Sequence, residues 1–238
     1  MSRLFRKLFT LQFWLLGLND PKIAMNKSSV KFSYLRKFKS KSSWTLVDLG
    51  SHRGEFADRV TNHLMINKYI FADPNTDYNT LLNSKFPGST ILNYGVSSSD
   101  VPLNYIRNAR NPGQNFTSEN IESNEKVKSI SLTKLFEMNV NSDSNILLKI
   151  DIEGDEVAVL KSLSPELVQK LDLISLEITP ISNSKNFLIE LDQFLPKSFD
   201  FYRERRFGWV HIDRSNPHWT DHLNVFQNLI LVNRRQIL

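Results

Sequence analysis

Acidic side chains near the ends of apolar runs are the residues of this sequence best placed to do chemistry. Asp48 lies near the end of the run Trp44–Leu49, which breaks into Gly50, Ser51, His52, Arg53 and Gly54. Asp73 ends the run Lys68–Asp73, and Asp151 and Glu153 follow the apolar stretch Ile146–Ile150. A short apolar run that stops at a glycine reads as a buried strand entering a turn. In an open α/β sheet, ligands bind beyond the carboxyl ends of the strands, where the strand order switches. These carboxylates therefore point at one cleft, and negative charge there favours a ligand group that is positive.

The turn narrows the choice of ligand. A dinucleotide fingerprint, G-x-G-x-x-G, uses its second glycine to let the backbone approach a pyrophosphate. Here the pattern is D-x-G-x-x-x-G, with His52 at the second-glycine position, and Asp48 would repel a pyrophosphate. The α-ammonium of a methionine moiety would be attracted instead. S-adenosylmethionine (SAM) carries that ammonium and a sulfonium, and no phosphate. Asp73 stands at the end of the second run, where a carboxylate can accept both hydroxyls of an adenosine ribose. The same residue also suits the cap of a helix starting near Asp77, and the two roles are compatible. Gly50 is expected to need a positive φ and to leave space for the cofactor. Lys149, inside an apolar run, needs a partner, because an unpaired buried ammonium is costly.

The elements that position these groups are legible as alternating runs and helical patterns. After Gly54 a helix carries Phe56, Val60 and Leu64 on one face. Strands are expected over Trp44–Leu49, Lys68–Asp73, Ser89–Val96, Val101–Ile106, Val127–Leu132, Ile146–Ile150, Leu171–Ile178, Ser198–Tyr202, Phe207–Ile212 and Asn224–Val232. Helices are expected over Leu132–Met138, after Gly154 with Val157, Leu160 and Leu163 inward, and over Asn186–Phe194. The run Arg203-Glu204-Arg205-Arg206 reads as a basic turn. Residues 108–124, rich in Asn, Ser, Gly and Pro, are long for a connection in a compact domain, and so read as a mobile loop or a substrate lid.

Charge divides the chain. Residues 1–41 hold ten Lys or Arg and one acid, a net +9, which leaves the remainder at −4 within a total of +5. The sequence is therefore a basic arm, 1–41, followed by a mildly acidic domain, 42–238, and nucleic acid is not an expected partner of the domain. The 238 residues, with 40% hydrophobic content and 16 Phe, suffice for one substantial core. No cysteine is present, which excludes disulfides and cysteine-ligated metals. The arm's apolar run is too short to span a bilayer, which needs about 20 residues. It reads as a helix capping the core, as a helix on an anionic membrane surface, or as a cleaved signal without a small-x-small site. The expected location is the cytoplasm, with membrane association through residues 1–41 as the open alternative. The sequence does not fix the oligomeric state.

The segments VDLGSHRGEF, FADPN and LLKIDIEGDEVAVLKSL, followed by ISLEI, together resemble the FkbM-type methyltransferases. The resemblance runs from about Trp44 to Val232. It implies a Rossmann-like class I fold, with a seven-stranded, mostly parallel sheet of order 3-2-1-4-5-7-6, the last strand antiparallel, and helices on both faces. It implies SAM as cofactor and O-methylation of a sugar, glycan or related small-molecule hydroxyl. By position, Asp48, Gly50 and Gly54 would line the methionine end, Asp73 would hold the ribose, and Asp151 would border the cofactor. Asp73 departs from the family, which usually has Glu there. Glu153 and Glu177 would face the acceptor.

An alcohol is a poor nucleophile at neutral pH, so a base beside it helps. Glu153 is the first candidate and His52 the second. His211, with His218 and His222, is a candidate at the substrate mouth. Asp151, Glu153 and Glu177 offer hard oxygen ligands, but their spacing does not demand a cation and no metal is assigned. Two other classes remain open. One is an NAD-dependent sugar oxidoreductase, against which the missing glycine and Asp48 count. The other is a catalytically silent SAM-fold module.

Overall fold

Six residues in succession, Trp44–Leu49, are buried because both faces of this strand are covered, as a central parallel strand requires. This strand, β1, is the middle of the fold. The computed structural model describes residues 35, 38, 43–106, 116–118, 125–140, 144–152, 155–178, 184–205, 208–216, 219 and 227–234. The other strands are β2 (Ile66–Ala72), β3 (Thr90–Leu92), β4 (Gly95–Ser97), β5 (Leu103–Ile106), β6 (Phe116–Ser118), β7 (Lys126–Val127) and β8 (Ser129–Ser131). They continue with β9 (Asn145–Ile150), β10 (Leu173–Ile178), β11 (Phe199–Arg205), β12 (Gly208–Ile212) and β13 (Gln227–Asn233). The helices are α1 (Glu55–Val60), α2 (Asn79–Lys85), α3 (Leu132–Asn139), α4 (Glu156–Lys161), α5 (Pro165–Lys170) and α6 (Ser184–Phe194).

The main sheet has eight strands in the order β12-β11-β13-β10-β9-β1-β2-β3. From β10 to β3 every pairing is parallel. β13 runs antiparallel to β10, β11 to β13, and β12 to β11. The expected seven-stranded order is thereby corrected. The basic run expected as a turn instead extends β11 to Arg205, and the chain folds straight back so that β12 pairs along it as an eighth strand at the edge.

The stretch Ser89–Val96 is also not one strand. β3 belongs to the main sheet, while β4 leaves it and pairs in parallel with β8, its Gly95 N–H reaching the carbonyl of Lys128 at 2.8 Å. β5 pairs with both β6 and β7 in a small antiparallel sheet, so part of the region expected as a lid is strand. The rest of that loop lies outside the described residues.

Alternation along each strand sends side chains to two apolar layers. On one face Val47, Leu49, Leu148 and Ile174 pack with Phe136 of α3, Leu160 of α4, Val168 of α5 and Leu191 of α6. On the other, Leu46, Phe71, Leu147 and Ile230 pack with Val60 of α1 and Leu82 of α2. Leu35 and Phe38, from the basic arm, are buried in this second layer, with Phe38 edge-on to Trp44 at 6.0 Å. Among the described residues, no helix is long and apolar enough to cross a membrane.

Candidate functional site

The carboxyl ends of β1, β2 and β9 converge on the turn Gly50–Gly54. Gly50 has φ +70°, and its N–H donates to the carbonyl of Ala72 at 2.9 Å. A Cβ on Gly50 would lie 1.8 Å from the backbone oxygen of Asp151. The positive φ is as expected, and the close approach of the chain after β9 by itself admits no side chain here. Gly54, at φ +75°, opens α1 and would place a Cβ 2.8 Å from Phe86 and 2.9 Å from Leu82. Its glycine is therefore required by the packing of α2 against the turn. His52, between them, holds φ +47°, a left-handed conformation uncommon outside glycine.

Strand register brings Asp48 beside Lys149, and Lys149 beside Ser175. The Lys149 ammonium lies 3.3 Å from Asp48 Oδ1 and 3.2 Å from Asp151 Oδ2. It also donates to the carbonyls of Leu49 at 3.1 Å and Gly50 at 2.7 Å. The partner that Lys149 needed is thus a pair of acids and two chain-end carbonyls. Burial alone would lower the Lys149 pKa, but Asp48 and Asp151 outweigh it and hold the group above the ordinary lysine value. Burial pushes the Asp48 carboxyl up to about 6 against the opposing pull of Lys149. Asp48 remains ionised at neutral pH. Neither of its oxygens makes a hydrogen bond, so its contact with Lys149 is an ion pair without hydrogen-bond geometry.

Asp73 closes the other side of the turn. Its Oδ2 accepts the His52 N–H and its Oδ1 the Asn75 N–H, both at 2.8 Å. Asn75 in turn accepts the Asp77 N–H at 3.0 Å, capping the short helical turn Thr76–Tyr78. The helix cap expected of Asp73 is therefore made by Asn75, and Asp73 orients the chain entering it. Burial raises the Asp73 pKa, opposed by those two N–H groups and by Lys149. The His52 ring packs on Tyr78 at 4.3 Å between centroids, and its Nδ1 lies 3.4 Å from Glu55 Oε2. Its Nε2 is buried without a hydrogen-bond partner, as is Ser51 Oγ. Asn75, Tyr78 and Ser51 were not singled out from the sequence, although Asp-Pro-Asn is itself a turn signal.

The remaining expected residues are more scattered. Glu153, His218 and His222 lie outside the described residues. Glu177, partly exposed, stands two positions beyond Ser175 on β10, hence on the face that carries Lys149, and registers with Asn228. Asn228 donates to Glu204 at 2.6 Å. His211 is exposed on edge strand β12, its Nε2 3.8 Å from Asp200 Oδ1. Four strands separate β12 from β1, which puts His211 about 24 Å from the turn at ordinary strand spacing. Among the described residues, no group of three or more His, Asp or Glu is placed to hold a metal ion.

At the strand ends three acids, Asp48, Asp73 and Asp151, thus lie around the Lys149 ammonium. The family model of the methyltransferase FkbM domain matches residues 28–207. The crystal structure of methyltransferase FkbM from Methylobacillus flagellatus KT matches with TM-score 0.50 and 15% identity, covering 93% of this chain and 52% of that one. This chain thus spans about half the length of that relative. Precorrin-6y C5,15-methyltransferase from Geobacter metallireducens GS-15 has TM-score 0.44 and 7% identity, covering 89% of this chain and 90% of that one. The plantazolicin methyltransferase BpumL, in complex with a monoazolic desmethylPZN analog and SAH, has TM-score 0.40 and 12% identity, covering 97% and 96%. At such identities the likeness is one of fold. No curated protein matches the sequence significantly.

Proposed function

Because the chain belongs to the FkbM methyltransferase family, we propose that it is a SAM-dependent O-methyltransferase acting on a hydroxyl of a sugar, glycan or related small molecule. The observation that carries the reading is the charge at the strand ends. Two carboxylates, Asp48 and Asp151, meet the buried Lys149 ammonium, and a third, Asp73, lies within its electrostatic reach. The surplus is negative, and SAM brings a sulfonium and an ammonium with no phosphate. The buried, unpartnered Ser51 Oγ and His52 Nε2 supply further polar atoms at the turn.

When bound, the cofactor supplies a methyl group made electrophilic by its sulfonium. The chain's own part begins with Asp73, whose carboxylate is fixed by two backbone N–H groups and has lone pairs left for ribose hydroxyls. Asp151 and the turn hold the methionine end. Glu153, two positions beyond Asp151, takes the proton of the acceptor hydroxyl, with His52 as the second candidate for that task. Glu177 faces the acceptor side, whereas His211, on the far edge strand, stands too far from the turn to meet the reacting hydroxyl. Holding the acceptor oxygen in line can contribute about 7–11 kcal/mol of the rate enhancement.

Calorimetric titration of the purified chain with SAM, S-adenosylhomocysteine (SAH) and NAD tests this. SAM and SAH should bind and NAD should not. Preferential NAD binding would replace the reading with a sugar oxidoreductase. SAM binding without methyl transfer to any of a panel of sugars and glycans would favour a silent module.

A further inference from the structure

The two carboxylates on the Lys149 ammonium are not equivalent. Asp48 has no exposure, whereas the Asp151 side chain is 30% exposed. Both lie on one face of the sheet, because Asp48 registers with Lys149 and Asp151 follows it by two positions. Asp151 is also tied by its backbone, whose N–H donates to Leu49 O at 3.2 Å, the same carbonyl that accepts from Lys149. Lys149 has three N–H donors and four oxygens around it. Two donors go to the carbonyls of Leu49 and Gly50, and the ammonium stays in ion-pair contact with both acids. The side chain therefore fastens the end of β1 to the end of β9 and fixes which way the Asp151 carboxylate turns.

We propose that Lys149 is a positioning residue that neutralises Asp48 inside the sheet and leaves Asp151 as the carboxylate presented to the cofactor's α-ammonium. The inference rests on the SAM reading and refines it. The sequence pattern points to Asp48 as the group meeting the methionine end, but Asp48 is sealed behind the lysine. With Asp48 and Lys149 cancelling, the one full negative charge left in this trio belongs to Asp151, which reaches the cleft. Ser175, the neighbour of Lys149 on β10, is small enough to leave the lysine its place in the layer.

The test compares SAH with its des-amino analogue, which lacks the ammonium, on four full-length proteins. The readout is the ratio of the two dissociation constants, which a purely structural role would leave unchanged. Wild type should prefer SAH by about 10- to 100-fold, the worth of a charge-assisted hydrogen bond. Asp151→Asn should bring the ratio close to one. Asp48→Asn turns the whole Lys149 charge onto Asp151 and should lower the ratio in part, keeping a preference above that of Asp151→Asn. Asp48→Asn/Lys149→Met, which removes the buried pair without stranding a charge, should lower the ratio about 10-fold, with melting curves confirming a folded protein. Preference lost in Asp48→Asn but kept in Asp151→Asn would overturn the assignment in favour of Asp48. An unchanged ratio in the double variant would remove the positioning role of Lys149. Failure of wild type to bind SAH at all would instead bring down the SAM reading, and this inference with it.

Discussion

Replacing Asp73 with Asn probes the cofactor site while nearly preserving its shape. In the native turn each carboxylate oxygen accepts one backbone N–H, from His52 and from Asn75. An amide keeps one accepting oxygen and turns its own N–H₂ toward the other donor. One half-buried N–H is then left unsatisfied, at a cost of about 1–3 kcal/mol. For a chain of this size that corresponds to a fall in melting temperature of roughly 2–10 °C. The cofactor loses more specifically. A ribose hydroxyl that donated to a charged oxygen now faces a neutral group, which should weaken SAH by about 10- to 100-fold. Asp73→Glu, which installs the acid usual in the family, should retain most of the affinity. Calorimetry with SAH beside a thermal melt separates the two effects. A folded Asp73→Asn protein with undiminished SAH affinity would refute the ribose assignment.

Other outcomes follow from the same geometry. Gly50→Ala should destabilise by more than about 3 kcal/mol, because its Cβ would sit 1.8 Å from the Asp151 oxygen. Gly88→Ala, also at positive φ but with nothing within 4 Å, should cost only about 1–2 kcal/mol, so paired urea melts isolate the steric part. For Asp48, the unfolded chain releases the proton near pH 4 and the folded chain only near pH 6. The Asp48 contribution to stability should therefore fall by roughly 3 kcal/mol as pH rises through that window, read as the difference between wild type and Asp48→Asn. Asp48→Asn should lack this fall; identical pH profiles would contradict it. Glu153→Gln should lower methyl transfer by about 10²–10⁴-fold with SAM affinity little changed, once an acceptor is found. If the arm binds anionic lipid, full-length protein should sediment with anionic vesicles in a salt-sensitive way. Protein lacking residues 1–27 should not; this deletion spares Leu35 and Phe38, which are core.

Much of the fold was legible because buried parallel strands are continuous apolar runs. Trp44–Leu49, Ile146–Ile150 and Leu171–Ile178 each lie within about two residues of the observed strand. What failed depended on partners distant in sequence. Nothing local to Ser89–Val96 says that Gly95 leaves the sheet to meet Lys128. Nothing local to Arg203–Arg205 says that β12 will pair along this basic segment and hold it in a strand. The missed helix α5 is different, since Ser164 caps it through the Leu167 N–H and Pro165 opens it, a readable start signal. In the site, the residue types were legible and their pairings were not. A lysine in an apolar strand announces that it needs an acid, but only register shows that the acid is Asp48 and that Asp151 shares it.

The register of the turn also bears on which cofactor class the cleft can serve. A dinucleotide site cradles its pyrophosphate with backbone N–H groups of the glycine turn and the helix that follows. Here the Gly50 N–H is bonded to Ala72 O, the His52 N–H to Asp73 Oδ2 and the Gly54 N–H to Ser51 O. Three donors of the turn are thus consumed within the protein. The helix behind it, α1, has only six residues and carries Glu55 and Asp58 in its first turn. Its N-terminal dipole faces acidic side chains of its own chain before it can face a ligand. An anion would have to break the Asp73 bond and sit beside Asp48, Asp73 and Asp151. A cation meets none of these obstacles, and Asp73, held by the turn's own N–H, stays oriented for hydroxyls. The substitution of His52 for the second glycine therefore costs this site nothing, because no phosphate needs to come close to the backbone there.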